Sequence, residues 1–402
     1  MTTPHNIQKR NPKPEINPSS ETVARLQALE GEHSAAVGLS GGVDSSLTAA
    51  LLVEAGWHVE GLTLWLMSGK GSCCSDGLID AAGICEQLGI NHNVIDSRKI
   101  FEKEIINGLI EGYKEGITPI PCSRCNRTVK FAEMVKWANQ ERDLKYIATG
   151  HYARTRKAHE EVPDNYLPGE STGRHKLLRG LDHKKDQSYF LYDLTQNVLD
   201  KVIFPLGELT KEDTRNESLK LNLRTAKKPE SQDLCLAELH GSMKNFLDNY
   251  LPPKAGKIIL KDGTILGDHD GIEHFTIGQR KGLNISWNKP LHVIELDSTM
   301  NRVVVAPREE SGKINCVVSC INWISINPPK EAIKIEVQIR YRSRPVKALL
   351  TPLKAKDKDM LDNRPYRGKL TFEEEQFSVT PGQAAVFYSK EFVLGGGIIE
   401  KE

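Results

Sequence analysis

No stretch of this 402-residue chain approaches the ~18 consecutive apolar residues that a membrane span needs, and no membrane segment is expected. Charge of one sign is lacking too. The 54 Lys and Arg stand against 53 Asp and Glu, a net charge of +1, so the chain as a whole makes no electrostatic commitment to nucleic acid. Local basic segments must carry any such contact. Cysteine is scarce: eight residues, at 73, 74, 85, 122, 125, 235, 316 and 320, are too few for a disulfide scaffold. With no export signal, reduced thiols and a cytoplasmic location are expected. Clustered thiols in that compartment point to metal or redox chemistry rather than to structural staples. Internal repeats and low-complexity tracts are absent, which excludes solenoid and linker architectures. Met1 to Glu21 is polar and proline-bearing with no apolar core. It reads as a disordered tail, drawn to residue 33, rather than a secretory signal.

What is present is enough length for roughly two to three domains, each with its own core. The stretch Ala35-Ala36-Val37 is followed by Gly38-Leu39-Ser40-Gly41-Gly42-Val43-Asp44-Ser45-Ser46 and then by an apolar helix from Leu47 to Ala55. That is strand, glycine turn, helix. Adjacent glycines let the backbone approach a ligand where a β-carbon would clash, and the N–H groups at a helix start suit phosphate. The Lys-Ser/Thr ending of the Walker loop is missing, and so is G-x-G-x-x-G. Ser-Gly-Gly-x-Asp-Ser instead resembles the PP-loop of ATP pyrophosphatases, which split ATP into AMP and pyrophosphate. Strand and helix patterns alternate from Ala35 to about Asp96, which predicts a parallel sheet with helices on both faces. Ligands of such sheets sit beyond the carboxyl ends of the strands, where Leu64 falls near an adenine position.

A long helix is expected over Arg98 to Glu115. Pro119 and Pro121 then argue for a loop carrying Cys122 and Cys125, with helix resuming near Arg127 and running to about Gln140. Cys125 thus lies near a helix start beside Arg124 and Arg127, a setting that lowers a thiol pKa. Tyr146 to Thr149 reads as another strand, ending in Gly150-His151-Tyr152. Residues 156 to 176 form a polar, exposed excursion. The run from Arg174 to Lys185 is basic, either a solvated face or an RNA-backbone contact. Helix is expected over Lys211 to Leu221. After about Gly241 the texture becomes β: a hairpin over Lys257 to Gly267 around an Asp-Gly turn, then short strands from Leu291 onward that suggest a small β-barrel. Cys122-x-x-Cys125 alone fits half a zinc site, a redox pair or part of an iron–sulfur site. Cys235 follows Lys227-Lys228-Pro229 in a polar loop, an odd place for a core thiol and one with positive surroundings.

These pieces in this order resemble the MnmA family of tRNA-specific 2-thiouridylases, within the PP-loop ATP pyrophosphatase superfamily, from about Ser34 to the C-terminus. The residues that carry it are the Gly38–Ser46 loop, Cys125-Asn126 with Val129-Lys130-Phe131, Gly150-His151-Tyr152-Ala153-Arg154 and Lys185-Asp186-Gln187-Ser188-Tyr189. It continues through Ser231-Gln232-Asp233-Leu234-Cys235, Phe275-Thr276-Ile277-Gly278-Gln279-Arg280 and Pro381-Gly382-Gln383. The resemblance implies an α/β PP-loop (adenine nucleotide alpha hydrolase-like) parallel-sheet domain over 34–238. It further implies a small central domain over 239–290 and a tRNA-binding β-barrel over 291–402. It implies sulfur replacing O2 of the wobble uridine (U34) in tRNAs for Lys, Glu and Gln, with ATP and Mg2+ as cofactors. An upstream persulfide donor, a sulfur-relay protein or a cysteine desulfurase, is the implied protein partner.

Carried over by position, Gly38, Leu39, Ser40, Gly41, Gly42, Val43, Asp44 and Ser45 bind the nucleotide's phosphates, and Leu64 and Gly150 help hold it. Asp44 counts with Cys125 and Cys235 as catalytic. Cys235 carries the persulfide and Cys125 is the partner nucleophile, the two meeting on flexible loops. His151, Lys185, Asp186, Gln187, Arg340, Tyr341 and Gln383 match tRNA contacts; no protein metal site is expected. One departure stands out. Where the family often has Asn-Pro-Asp, with the Asp on the target base, this chain has Ile120-Pro121-Cys122. The extra thiol leaves a three-thiolate cluster of Cys122, Cys125 and Cys235 as a second reading. A PP-loop synthetase acting on a small molecule, or a non-catalytic RNA-binding protein, are the competing functions.

Overall fold

The computed structural model describes residues 18–69, 75–163, 165–230, 234–354 and 365–401. The first helix, α1 (Pro18–Gln27), corrects the expectation of a disordered tail to residue 33. Val23, Leu26 and Leu29 recur at a helical spacing and enter one apolar cluster, and the Trp57 indole donates to Leu26 O at 3.2 Å. Residues 1–17, the rest of that tail, lie outside the described residues.

The first sheet is parallel, as the strand–helix alternation predicts. Its strands are β1 (Ser34–Gly38), β2 (His58–Trp65), β3 (Asn91–Asp96), β4 (Tyr146–Ala148) and the short strand Val202–Ile203. They lie in the order β3-β2-β1-β4 followed by Val202–Ile203. β1 sits at the centre, with Val37 opposite both Gly61 and Ala148. Its Ala35, Ala36 and Val37 are fully buried, which is why the strand reads as a continuous apolar run rather than an alternating one. Helices α2 (Val43–Glu54) and α3 (Ser75–Leu88) follow β1 and β2.

The long helix expected after β3 is present, with α4 (Arg98–Phe101) and α5 (Asn107–Lys114) joined by a π-helical turn over Glu102–Ile106. The expected cysteine loop is not. Cys122 and Cys125 lie on α6 (Pro121–Cys125), which passes through a π turn at Asn126–Lys130 into α7 (Phe131–Glu141). Pro121 is the first helical residue, where its missing N–H costs no hydrogen bond, so the proline opens the helix instead of breaking it. Such π turns often mark functional sites.

The strands Leu291–Asp297 and Arg302–Pro307, expected in the barrel, belong to the central domain. Arg302–Pro307 pairs in parallel with Gly256–Leu260, giving a four-stranded sheet with Ile265–His269 at the far edge. Alternation identifies strands but not their partners. The barrel uses Gly312–Trp323, Ile333–Gln338, Val346–Leu353, Arg367–Phe377, Ala384–Ser389 and Phe392–Ile399. It closes where Val318 pairs with Ile399. The 156–176 excursion is tied into the fold at its ends. It joins the hairpin strands Ala153–Arg156 and Lys176–Arg179, and the latter extends the barrel sheet through Leu178 opposite Phe392. Arg174 Nε donates to Ile324 O at 2.7 Å, which ties the excursion to the barrel. No helix among the described residues is long and apolar enough to cross a membrane.

Candidate active site at the glycine loop

The loop leaves β1 at its carboxyl end. Leu39 N donates to Leu62 O at 2.8 Å, extending the β1–β2 ladder one residue into the turn. Gly41 has φ +70, and a β-carbon there would stand 2.7 Å from Gly77 O, so both conformation and space demand glycine. Gly42 caps α2 without a side-chain hydrogen bond, and the first intrahelical bond of the helix is Ser46 N to Gly42 O at 3.1 Å. The N–H groups ahead of it have no intrahelical acceptor, a setting that suits phosphate. Ser45 Oγ receives the Ser40 N–H at 3.2 Å and lies 3.4 Å from Ser40 Oγ, which locks the turn. Gly150, at the end of β4, is placed by packing: a β-carbon there would lie 2.7 Å from Asp44 C and Ser45 N. Leu64 is half-buried near the carboxyl end of β2, opposite Ile95.

Asp44 is the first acidic group of α2. Its Oδ1 accepts the Tyr152 hydroxyl at 3.0 Å and the Lys211 ammonium at 2.6 Å. Burial and then the Asp44 charge hold the Tyr152 phenol well above its ordinary pKa, so it stays a proton donor. Lys211 also reaches Glu230 Oε1 at 3.0 Å, and Lys185 donates to Glu230 Oε2 at 2.6 Å. On the other side of the loop, Lys228 donates to Gly41 O at 3.1 Å and pairs with Asp80. Arg215 donates to the carbonyls of Ala226 and Lys228 at 2.8 and 2.6 Å, which positions that lysine. Lys211, Glu230 and Asp80 escaped the sequence reading. Lys211 is the first residue of a helix whose start is marked by the Thr210–Asp213 capping box, but nothing local distinguishes it from a surface lysine.

Cys125 and Cys235 share one apolar cluster. Cys125 is 6% exposed, and it packs in the cluster of Leu66, Phe101, Val129, Leu236 and Phe246 against which Cys235 and Leu64 also rest. Arg124, expected to depress the Cys125 pKa, turns instead to Glu104 at 3.1 Å. Cys235 is the first residue of the helix Cys235–His240, not part of a loop; Ser231, Gln232 and Asp233 lie outside the described residues. Lys228, expected to serve Cys235, is directed at Gly41. Among the described residues no three His, Cys, Asp or Glu are grouped to hold a metal ion, so Cys122, Cys125 and Cys235 do not converge as a three-thiolate site.

The expected tRNA contacts divide. Arg340 is exposed, and Tyr341 packs on Phe190 at 4.3 Å between ring centroids. His151 bonds Thr149 Oγ1 through Nδ1 at 2.8 Å. Burial beside Phe131 and Phe204, with Lys130 nearby, pushes its imidazole down to about 3, so it is neutral at physiological pH. Gln383 Nε2 donates to Thr118 O at 2.8 Å, and Gln187 Oε1 accepts Tyr152 N at 3.0 Å. Asp186 is an internal group. Its carboxylate, 8% exposed, accepts Gly180 N and Ser188 N at 3.0 Å, Arg179 at 3.0 Å and Ser188 Oγ at 3.1 Å. Much of the basic run is internal as well. Lys176 is 2% exposed, and the Arg179 guanidinium lies 3.5 Å over the Tyr388 ring, so these residues hold the hairpin and not an RNA backbone. Asp186→Ala is expected to cost about 3 kcal/mol in urea unfolding by stranding Arg179, with tRNA affinity of the folded protein within about twofold of wild type. Unchanged stability with a large loss of tRNA affinity would return Asp186 to the interface.

A parallel sheet with a glycine turn at its central strand, a central β domain and a closed six-stranded barrel defines a PP-loop, HUP-type nucleotide-binding protein. Residues 33–238 match the family described as tRNA methyl transferase HUP domain, 244–307 its PRC-barrel domain, and 313–399 the aminomethyltransferase beta-barrel domain. The tRNA-specific 2-thiouridylase MnmA of Prochlorococcus marinus (strain MIT 9303) is 66% identical over 95% of this chain and 93% of its own. The protein of that name from Synechococcus sp. (strain CC9902) is 64% identical over 94% of this chain and 95% of its own. The solved U34-tRNA thiolase NcsA from Methanococcus maripaludis shares 21% identity over 57% of this chain and 76% of that one, at a TM-score of 0.34 that carries no weight. The chain belongs to the MnmA family of tRNA-specific 2-thiouridylases.

Proposed function

We propose that this chain is the tRNA-uridine 2-sulfurtransferase that replaces O2 of the wobble uridine (U34) with sulfur in tRNAs for Lys, Glu and Gln. The observation that carries the reading is the shared apolar cluster of Cys125 and Cys235, 110 residues apart in sequence, which also takes Leu64 near the carboxyl end of β2. A small-molecule synthetase has no use for two such thiols.

A uridine C2 carbonyl has no leaving group. Attack of O2 on the α-phosphorus of ATP makes one: pyrophosphate departs, and O2 now carries AMP. The uncapped α2 start and the Gly41 turn fit the phosphates. The second Asp44 oxygen, engaged by neither Tyr152 nor Lys211, would hold Mg2+. That ion supplies charge neutralisation on phosphate oxygens. Sulfur comes from a persulfide on Cys235, loaded by an upstream sulfur-relay protein or cysteine desulfurase. In one route its terminal sulfur attacks C2 and AMP leaves with O2; Cys125 thiolate then attacks the Cys235 sulfur and frees the C2 thiocarbonyl. In the other, Cys125 first attacks the Cys235 sulfur and releases hydrosulfide, which attacks C2. Both routes end in a Cys125–Cys235 disulfide, which a thiol reductant must reopen by exchange before the next turnover.

Mass spectrometry of anticodon nucleosides from cells lacking the protein is expected to show uridine derivatives without the 2-thio group in the tRNAs for Lys, Glu and Gln. Retention of 2-thiouridine in all three would sink the reading.

A further inference from the structure

Cations converge on one carboxylate beside the glycine loop. Glu230 accepts Lys185 through Oε2 at 2.6 Å and Lys211 through Oε1 at 3.0 Å, with Arg215 at 3.8 Å. The Lys211 side chain is only 12% exposed, and its ammonium is shared with Asp44 at 2.6 Å in the first turn of α2. Lys211 therefore stands next to the N–H groups that suit phosphate. So many positive groups packed around one loop need an anion among them. In this structure Glu230 fills that place. Burial would push its carboxyl up, but hydrogen bonds from Lys185 and Lys211 outweigh it and hold the group below the usual glutamate range, ionised at neutral pH.

We propose that Lys211, with Lys185, binds the phosphates of ATP, and that Glu230 competes with them for these two ammonium groups. The proposal rests on the reading of the glycine loop as the ATP site. A phosphate chain offers more charge and more acceptor oxygens than one carboxylate, so it displaces Glu230; the displacement costs part of the intrinsic affinity. Asp44 keeps Lys211 close to the loop during the exchange. Arg215, held by two carbonyls, does not move with it. The arrangement differs from a structural ion pair in the sign of its mutational effect. A structural Glu230 would help place Lys211, and its loss would weaken ATP binding. A competing Glu230 does the reverse.

The test is an equilibrium titration of the full chain with Mg-ATP in the absence of tRNA. Glu230→Gln is expected to tighten ATP binding about tenfold, the scale of one hydrogen bond to a charged group. Glu230→Asp, which keeps the charge but shortens its reach, is expected to tighten it about threefold, and serves should the first variant misfold. Lys211→Ala is expected to weaken binding about tenfold or more, Lys211→Arg to stay near wild type, and the Glu230→Gln gain to vanish when combined with Lys211→Ala. Equal or weaker ATP binding in both Glu230 variants overturns the competition while leaving the ATP site intact. A gain that survives in the double variant removes Lys211 from it. A wild-type chain that binds no ATP overturns the site and the competition together.

Discussion

Cys235→Ser is expected to leave no detectable 2-thiouridine when the purified protein is supplied with persulfide, ATP and substrate tRNA, a loss of at least ~10³-fold, while tRNA-dependent pyrophosphate release continues. The split follows from the geometry. The glycine loop lies on β1 and α2, whereas Cys235 enters the site on a separate helix through the cluster of Leu66, Phe101 and Leu236. On the proposed relay, adenylation therefore needs no thiol, and sulfur transfer has no substitute for this one. Cys125→Ser is expected to give the same loss, with persulfide still formed on Cys235, because only the second thiolate can break the sulfur–sulfur bond. Cys122→Ser is expected to keep substantial activity. Cys122 is half-exposed, three residues ahead of Cys125 on α6 and outside the cluster that joins the other two. Thiolation by the Cys235 variant would break the relay. Complete loss with Cys122→Ser, together with iron in the purified protein, would restore the cluster reading that the described residues do not support.

Asp44→Ala should abolish tRNA-dependent pyrophosphate release, by on the order of 10²-fold or more, with persulfide loading of Cys235 unaffected. The carboxylate does two things that alanine cannot. It holds Lys211 and the Tyr152 hydroxyl at the loop, at 2.6 and 3.0 Å, and on the proposed reading its other oxygen would hold Mg2+. Folding should survive, because Lys211 keeps Glu230 at 3.0 Å and Tyr152 keeps Thr214 Oγ1 at 2.9 Å. Asp44→Asn separates the two roles. It can still accept from Tyr152 but carries no charge, so it is expected to fail in pyrophosphate release while matching wild type in urea unfolding. Wild-type pyrophosphate release by the Asn variant would show that the charge is not needed.

The loop and the elements around it were legible because their physics is local. Ala35 to Val37 is apolar without alternation, as a central parallel strand must be, and Gly41 needs a positive φ that other residues resist. Helices were misplaced where one residue type has two uses. Pro121 reads as a breaker in sequence, yet at the first helical position it starts α6. The stripe of Val23, Leu26 and Leu29 is too short to signal a helix by itself, and only the face of the first sheet domain gives it something to bury against. The strands 291–307 were recognised as strands, but their pairing with Gly256–Leu260 is a long-range choice that alternation does not encode.

Charge shows the same division. The basic run from Arg174 to Lys185 has one appearance in sequence and two fates in space: Lys176 and Arg179 are consumed inside the hairpin, while Lys185 joins Glu230 beside the loop. By itself the sequence determined the chemistry available: a phosphate-binding turn, a carboxylate behind it and two cysteines of the right kinds, because each depends on residue type and near neighbours. Tertiary structure alone decided their company. It buried Cys125 in the cluster that takes Cys235, and it brought Lys211 to 2.6 Å from Asp44, far away in sequence, and to 3.0 Å from Glu230. Contacts across such separations are set by how sheets and helices pack, and no local pattern records them.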